Sequence, residues 1–434
     1  MTAVVETAPG TRTTVSDCIN RPTQTTAAAP DDAMGVLLWL GAAMLRAGST
    51  ASRAHEGMRV MAHKLGFEDT SVSVTSDNIT VSARRAGERL TAMREIGPQG
   101  INTRRIGELE QLVTAARPDV RPRELADQLA AIESTRPRYS ALTIALAIAA
   151  ASAGFAFLNG APPLQLITAA IGGGVGQWCR SRLQRLRLSP YGVAALSAAA
   201  ASAAYVLAGT LASHAGLGPG RHPAGFISAV LFLVPGFPLI AALFDLLQHQ
   251  TVAAVGRFAH GVMVLLAVAF GLGIVIALAG VDIARQPPLE LAYPLRLALR
   301  AVASFAGGCA FAMLFGSAPR TALAVGLVAL MANELRLLLH DAGMMLAPAT
   351  FFAALAVGLM ALVVDRRWGV PRIAIAVPAV IIMVPGVYAF EMIIAFYRGN
   401  AVEAVQASAS CGFVIGALAM GLAVARLGLR PAQA

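Results

Sequence analysis

Two periods of hydrophobicity divide this 434-residue chain. Residues 1–31 are Thr/Ala/Pro-rich without apolar periodicity and predict a disordered tail with no cleavable signal peptide. Asp31 and Asp32 are placed to cap a helix that begins near Met34. Its apolar core, 36–45, is too short to cross a bilayer, and Gly48 ends it. From Thr50, residues Ala51, Ala54, Met58, Met61, Ala62 and Leu65 recur at helical spacing. Arg53, Glu56, His63 and Lys64 fall largely opposite, and Gly66 closes the helix. The period then drops to two. Val72 and Val74 alternate with Ser71, Ser73 and Thr75, Asp77-Asn78 offers a turn, and Ile79, Val81 and Ala83 alternate again. That pattern is a β-hairpin, with a third strand near 90–96. Helices over 102–116 and 123–134 complete a small soluble α+β domain, 32–138.

From Tyr139 the alternation gives way to long apolar runs. Ten spans are expected: 140–158, 162–178, 191–212, 224–247, 254–280, 296–316, 320–340, 347–364, 371–397 and 402–425. Two of them are broken at their centres, by Val234-Pro235-Gly236-Phe237-Pro238 and by Val384-Pro385-Gly386-Val387. Proline removes a backbone donor and clashes with the preceding turn, and glycine loosens the chain beside it. The breaks lie 150 residues apart, from 235 to 385. Five spans per half is an odd number, so homologous halves must cross the membrane in opposite senses. The expected fold is therefore an all-α polytopic membrane protein of two inverted five-helix repeats, 139–280 and 296–425. A linker, 281–295, joins them, the α+β domain precedes them, and a tail, 426–434, follows.

Composition agrees. The chain is 56% hydrophobic and 13% charged, with mean hydropathy +0.65. Its net charge of +10 does not read as a nucleic-acid face. Residues 31–138 are nearly balanced, and the surplus sits in short loops between apolar runs. Arg136, Arg138, Arg180, Arg182, Arg185, Arg187, Arg257, Arg320, Arg366, Arg367, Arg372, Arg426 and Arg430 share one side. Arg221, Arg285, Arg296, Arg300, Arg336 and Arg398 lie on the other. The bias, roughly two to one, puts the α+β domain and both termini in the cytoplasm. Cys18, Cys179, Cys309 and Cys411 are scattered without metal-ligand spacing, so neither a disulfide framework nor a metal site is expected.

Bare backbone at membrane depth survives only inside protein or along a cavity. Each break starts a half-helix whose N-terminal N–H groups suit a carboxylate. Pro235, Gly236 and Phe237 at the first break, and Pro385, Gly386 and Val387 at the second, are thus the candidate substrate-binding residues. The plainer alternative is a pair of packing kinks. Asp245 and Glu391 are the deepest acids flanking the breaks and are the candidate proton-coupling residues. The plainer reading of Asp245 is an interfacial acid beside His249. Asn333, Glu334, Arg336, His340 and Asp341 are expected near the outer interface in a structural role. Gly172-Gly173-Gly174 and Gly176 read as close helix packing, and Arg53 with Glu56 as a solvated ion pair. No catalytic constellation stands out.

Several stretches resemble the threonine/serine exporter family. They are the run from Leu45 through Gly48-Ser49-Thr50-Ala51-Ser52-Arg53-Ala54-His55-Glu56, then Lys64-Leu65-Gly66 and Asn78-Ile79-Thr80-Val81-Ser82. Val234-Pro235-Gly236-Phe237-Pro238-Leu239 with Asp245 and Arg257, and Met383-Val384-Pro385-Gly386, extend the likeness over nearly all of 32–425. His55 and Phe390-Glu391 depart from the pattern. The resemblance implies a secondary exporter of threonine and serine across the inner membrane, driven by the proton motive force. Its partners would be an amino-acid substrate, protons and the lipid bilayer, with no cofactor and no nucleic acid and with room for a homo-oligomer. Related two-subunit systems export succinate, so a dicarboxylate is the alternative cargo. A membrane-anchored hydrolase acting through 32–138, or a passive channel, are the alternatives of other classes.

Overall fold

The computed structural model describes residues 32–186, 188–218, 223–279 and 291–427. The tail 1–31 with Cys18 and Asp31, most of the linker, Arg187, Arg221, Arg285 and Arg430 lie outside the described residues.

The first module follows its sequence periods closely. α1 (Ala33–Ala47) is capped by Asp32, whose carboxylate accepts from the Gly35 N–H at 2.6 Å. It ends at Gly48 in the left-handed region, φ 102°. It is buried on almost every side because it is the module's central helix, not a span. α2 (Ala51–Lys64) buries Ala51, Ala54, Met58, Met61 and Ala62 against it. β1 (Thr70–Val74), β2 (Asn78–Arg85) and β3 (Glu88–Glu95) form an antiparallel sheet in that order. Val72 pairs with Val81 and Val74 with Ile79. α3 (Thr103–Ala115) and α4 (Pro122–Glu133) close the module. Arg53 pairs loosely with Glu56 at 3.6 Å, both partly exposed, as its helical spacing predicts.

A helical bundle follows: α5 (Ala141–Leu158), α6 (Pro163–Leu183), α7 (Pro190–His214), α8 (Pro223–Val230), α9 (Gly236–Leu247) and α10 (Thr251–Ala279). Then come α11 (Tyr293–Leu314), α12 (Pro319–Asp341), α13 (Leu346–Trp368), α14 (Arg372–Ile381), α15 (Gly386–Tyr397) and α16 (Ala401–Leu427). Among the described residues, 7 helices are long and apolar enough to cross a bilayer, or up to 9 spans if each bent pair counts once. Among the described residues all ten expected runs form helices, two of them interrupted at the Pro-Gly breaks. The expected second span, α6, is long enough, but its glycines, Gln165 and Gln177 lower its hydropathy. Those glycines admit neighbours: a Cβ on Gly172 would lie 2.8 Å from the Ala201 carbonyl oxygen, and one on Gly176 2.6 Å from Ala201 Cβ.

Contacts in the bundle come in matching pairs. α5 packs on α6 and α11 on α12; α7 packs on α10 and α13 on α16; α9 packs on α10 and α15 on α16. α8 touches α5, α6 and α7, just as α14 touches α11, α12 and α13. Where the two sets meet, α5 runs along α11, α9 meets α14 and α15 meets α8.

The module sits on connections that alternating spans place at one end of the bundle. The Thr103 N–H and hydroxyl both donate to the Phe315 carbonyl, at 2.9 and 3.1 Å, in the α11–α12 turn. Gly107 packs on Pro371 before α14, and Ser76 in the β1–β2 turn packs on Gly256 in α10. Ala253 at the start of α10 joins the module's own apolar core.

Candidate functional site

The two Pro-Gly breaks have the same backbone geometry. Pro235 lies at φ −76°, ψ 54° and Pro385 at φ −78°, ψ 54°. Each proline is the centre of a tight three-residue turn. Gly236 N–H donates to the Val234 carbonyl, and Gly386 N–H to the Val384 carbonyl, both at 2.8 Å. The helix then restarts, with Leu239 N–H on the Pro235 carbonyl and Ala389 N–H on the Pro385 carbonyl, both at 3.2 Å. Between these bonds, the N–H groups of Phe237, Val387 and Tyr388 have no backbone partner among the described residues. Pro238 has no N–H to offer. The first break therefore exposes one donor and the second exposes two. The chain bends by 59° at the first break and by 44° at the second.

The breaks also touch each other. A Cβ on Gly236 would stand 3.0 Å from Val384 Cγ2. One on Gly386 would stand 3.4 Å from Val234 Cγ2 and would overlap Leu231 Cδ1. Glycine is required here by close approach, not by its backbone angles.

Asp245 is fully buried near the module end of α9. Its Oδ1 accepts from the Ala51 N–H at 2.9 Å, at the N-terminus of α2. Its Oδ2 lies 3.2 Å from Arg257 Nη1, an ion pair outside hydrogen-bond geometry. Arg257 Nη2 in turn donates to the Ser49 carbonyl at 2.8 Å. Gly48 lies beside the Phe237 ring, which also stacks obliquely on Phe315 at 6.5 Å. The turn 48–51 of the module is thus held between α9 and α10 by one buried acid and one buried base. A carboxylate at a helix N-terminus and a guanidinium on a carbonyl are each charge-assisted contacts. Glu391 lies elsewhere, half-buried on α15, and none of Asp245's contacts involves it.

The polar group on α12 is deeper than its sequence position suggests. Asn333 and Glu334 are buried, and Asn333 donates to Ser304 Oγ at 2.8 Å. Both Glu334 carboxylate oxygens are buried without a hydrogen-bond partner among the described residues. Arg336 Nη1 donates to the Met383 carbonyl at 3.3 Å, one residue before the second break, and its Nε is buried without a hydrogen-bond partner among the described residues. Of the five, His340 and Asp341 are the exposed ones: His340 Nδ1 lies 3.0 Å from the Met344 carbonyl, and Asp341 pairs with Arg300 at 2.5 Å. Arg336 is visible in the sequence but its contact beside the second break is not, because that partner is a backbone carbonyl 47 residues away. No local spacing encodes such a contact. The Asp245–Arg257 pair had only a weak signal, two ionisable residues flanking one short turn.

Residues 36–279 match a family model described as "Putative threonine/serine exporter". Residues 300–427 match a second, described as "Threonine/Serine exporter, ThrE". A curated relative from Mycobacterium tuberculosis, "Probable threonine/serine exporter", is 26% identical over 381 residues. The match covers 82% of this chain and 68% of the relative. No solved structure matches.

Proposed function

The chain belongs to the threonine/serine exporter family of multi-pass membrane proteins, and from that premise we propose that it exports small hydroxy amino acids by alternating access around the two breaks. This is a transporter family, so the reading is of carriage across a membrane rather than catalysis. The observation that carries the reading is the pair of breaks, with one backbone geometry and reciprocal contacts. The matching contact pairs of α5–α10 and α11–α16 support an inverted repeat of five spans each, with α6 as the tenth. In such a repeat the two broken helices meet near the midplane, where substrate sites of this architecture lie.

Pro235, Gly236, Phe237, Pro385, Gly386 and Val387 are proposed to line the site. The N–H groups of Val387 and Tyr388 suit the two oxygens of one carboxylate, with Arg336 as the neighbouring cation. The first break has one N–H, which suits a single weaker acceptor such as a side-chain hydroxyl. That asymmetry favours an amino acid over a dicarboxylate, which needs two equivalent anion sites. Glu391 and Asp245 are proposed to couple proton entry to efflux. They would work differently: Asp245 takes up a proton only when Arg257 lets go, which would also release the module. The module and the C-terminus are proposed to face the cytoplasm, consistent with the arginine-rich connections beneath the module.

Counterflow in proteoliposomes tests the reading. Labelled threonine and serine should exchange and labelled succinate should not. Succinate exchange without threonine exchange would reverse the choice of cargo, and transport indifferent to a pH gradient would remove proton coupling.

A further inference from the structure

A cavity of about 260 Å³ lies at the seam between the module and the bundle. Its walls come from the start of α3, the α4–α5 connection, the first turn of α5 and the end of α11. Among the described residues, four arginines line it, Arg104, Arg105, Arg136 and Arg138, and no acidic residue does. Two of the four are engaged. Arg104 pairs with Glu108 at 2.7 Å, and Arg105 donates to the Glu133 carbonyl at 2.7 Å. Arg136 and Arg138 have neither an ion pair nor a hydrogen bond among the described residues. With Glu108 set against Arg104, three positive charges remain around one small cavity. Like charges held this close repel unless an anion shares them.

The other wall is apolar. Ile144 comes from the first turn of α5, and Phe315 from the end of α11, both candidate spans. Tyr139 stands at the α5 entrance, with its hydroxyl on the Ser317 carbonyl at 2.9 Å. An aromatic residue with a wet hydroxyl and an apolar ring is the side chain of the membrane–water boundary. The cavity therefore lies at headgroup level, cationic toward the module and apolar toward the bundle. A small soluble anion would need only the first of these two walls.

We propose that this seam binds the phosphate of an anionic phospholipid headgroup, with the arginines on the phosphodiester and the start of its chains on Ile144 and Phe315. The lipid would tie α3 and the α4–α5 connection to the bundle, in addition to the contacts of Thr103. The site needs no assumption about cargo, because neither break contributes to it.

The test is native mass spectrometry of the full chain in detergent, titrated with phosphatidylglycerol, phosphatidylcholine or inorganic phosphate. The wild-type protein should retain phosphatidylglycerol in preference to phosphatidylcholine and should ignore millimolar phosphate. The double substitution Arg136→Gln/Arg138→Gln should weaken that retention about thirtyfold, the factor for two interfacial cations. Both residues are exposed, so the fold should tolerate the change. The control is Arg366→Gln/Arg367→Gln, exposed at the same end of the bundle but outside the cavity, and it should keep full retention. Equal loss in both double variants, or none in the first, would overturn the site in favour of general surface attraction. Displacement of lipid by inorganic phosphate would overturn the lipid source and leave a soluble-anion site.

Discussion

Gly236 packs on the side chain of Val384, while Gly386 packs on that of Val234. Each glycine meets the residue two positions before its counterpart. Such reciprocity is what a twofold relation between two halves produces, and it gives the breaks a shared fate: neither can straighten without moving the other.

That coupling is measurable. Gly236→Ala should push a methyl into stiff, β-branched Val384 and reduce transport, and Val384→Ala in the same chain should restore part of it. The pair Gly386→Ala and Leu231→Ala should behave alike, though more mildly, because Leu231 Cδ1 is the end of a flexible chain. Interaction energies of about 0.5–3 kcal/mol are expected from double-mutant cycles on unfolding in detergent. Additive effects would mean that the breaks are independent.

Replacing both residues of either break with alanine should heal the helix and withdraw the free N–H groups. Membrane insertion should survive and counterflow should fall to background. Two such variants that still exchange threonine would reduce both breaks to packing kinks.

Asp245→Asn should leave Arg257 buried without its counter-charge, at about 3–5 kcal/mol to the docked state. The double change Asp245→Leu/Arg257→Met should be milder than either single change, because no bare charge remains. Hydrogen exchange at Ser49–Ser52 reads this directly: protection should be lost in the single variants. Unchanged protection would mean that the clamp does not hold the module.

Proton coupling separates from exchange in one vesicle preparation. Glu391→Gln should abolish accumulation driven by an imposed pH gradient while leaving part of the threonine counterflow, since exchange need not return an empty carrier. If the gradient still drives accumulation, Glu334→Gln is the next substitution to measure, because both Glu334 oxygens are buried without hydrogen-bond partners among the described residues.

His55 gives the module a pH dependence. Burial, with Arg59 beside it, lowers its pKa below the ordinary 6.5, against a smaller opposing effect of Glu56. The unfolded chain then binds the proton more readily than the folded one, so stability rises with pH through this window. The contribution is complete above about pH 6.5 and is lost as pH falls through the lower folded value. Thermal melts across pH 5–7.5 should show a slope that His55→Gln flattens.

Local physics set much of this protein. Period-two and period-3.6 patterns, helix caps and continuous apolar length located the sheet, the module helices and the long apolar runs, since each depends on neighbours a few residues apart. Proline and glycine chemistry marked both breaks for the same reason. The tertiary structure alone decided that the two breaks touch, that Asp245 holds the module through Ala51 and Arg257, and that Arg336 reaches the Met383 carbonyl. Apart from the Asp245–Arg257 pair, 12 positions apart, those contacts join residues 47 to 194 positions apart, and several of them use backbone groups that every residue carries. A backbone donor or acceptor has no letter in the sequence, so its partner appears only once the helices are packed.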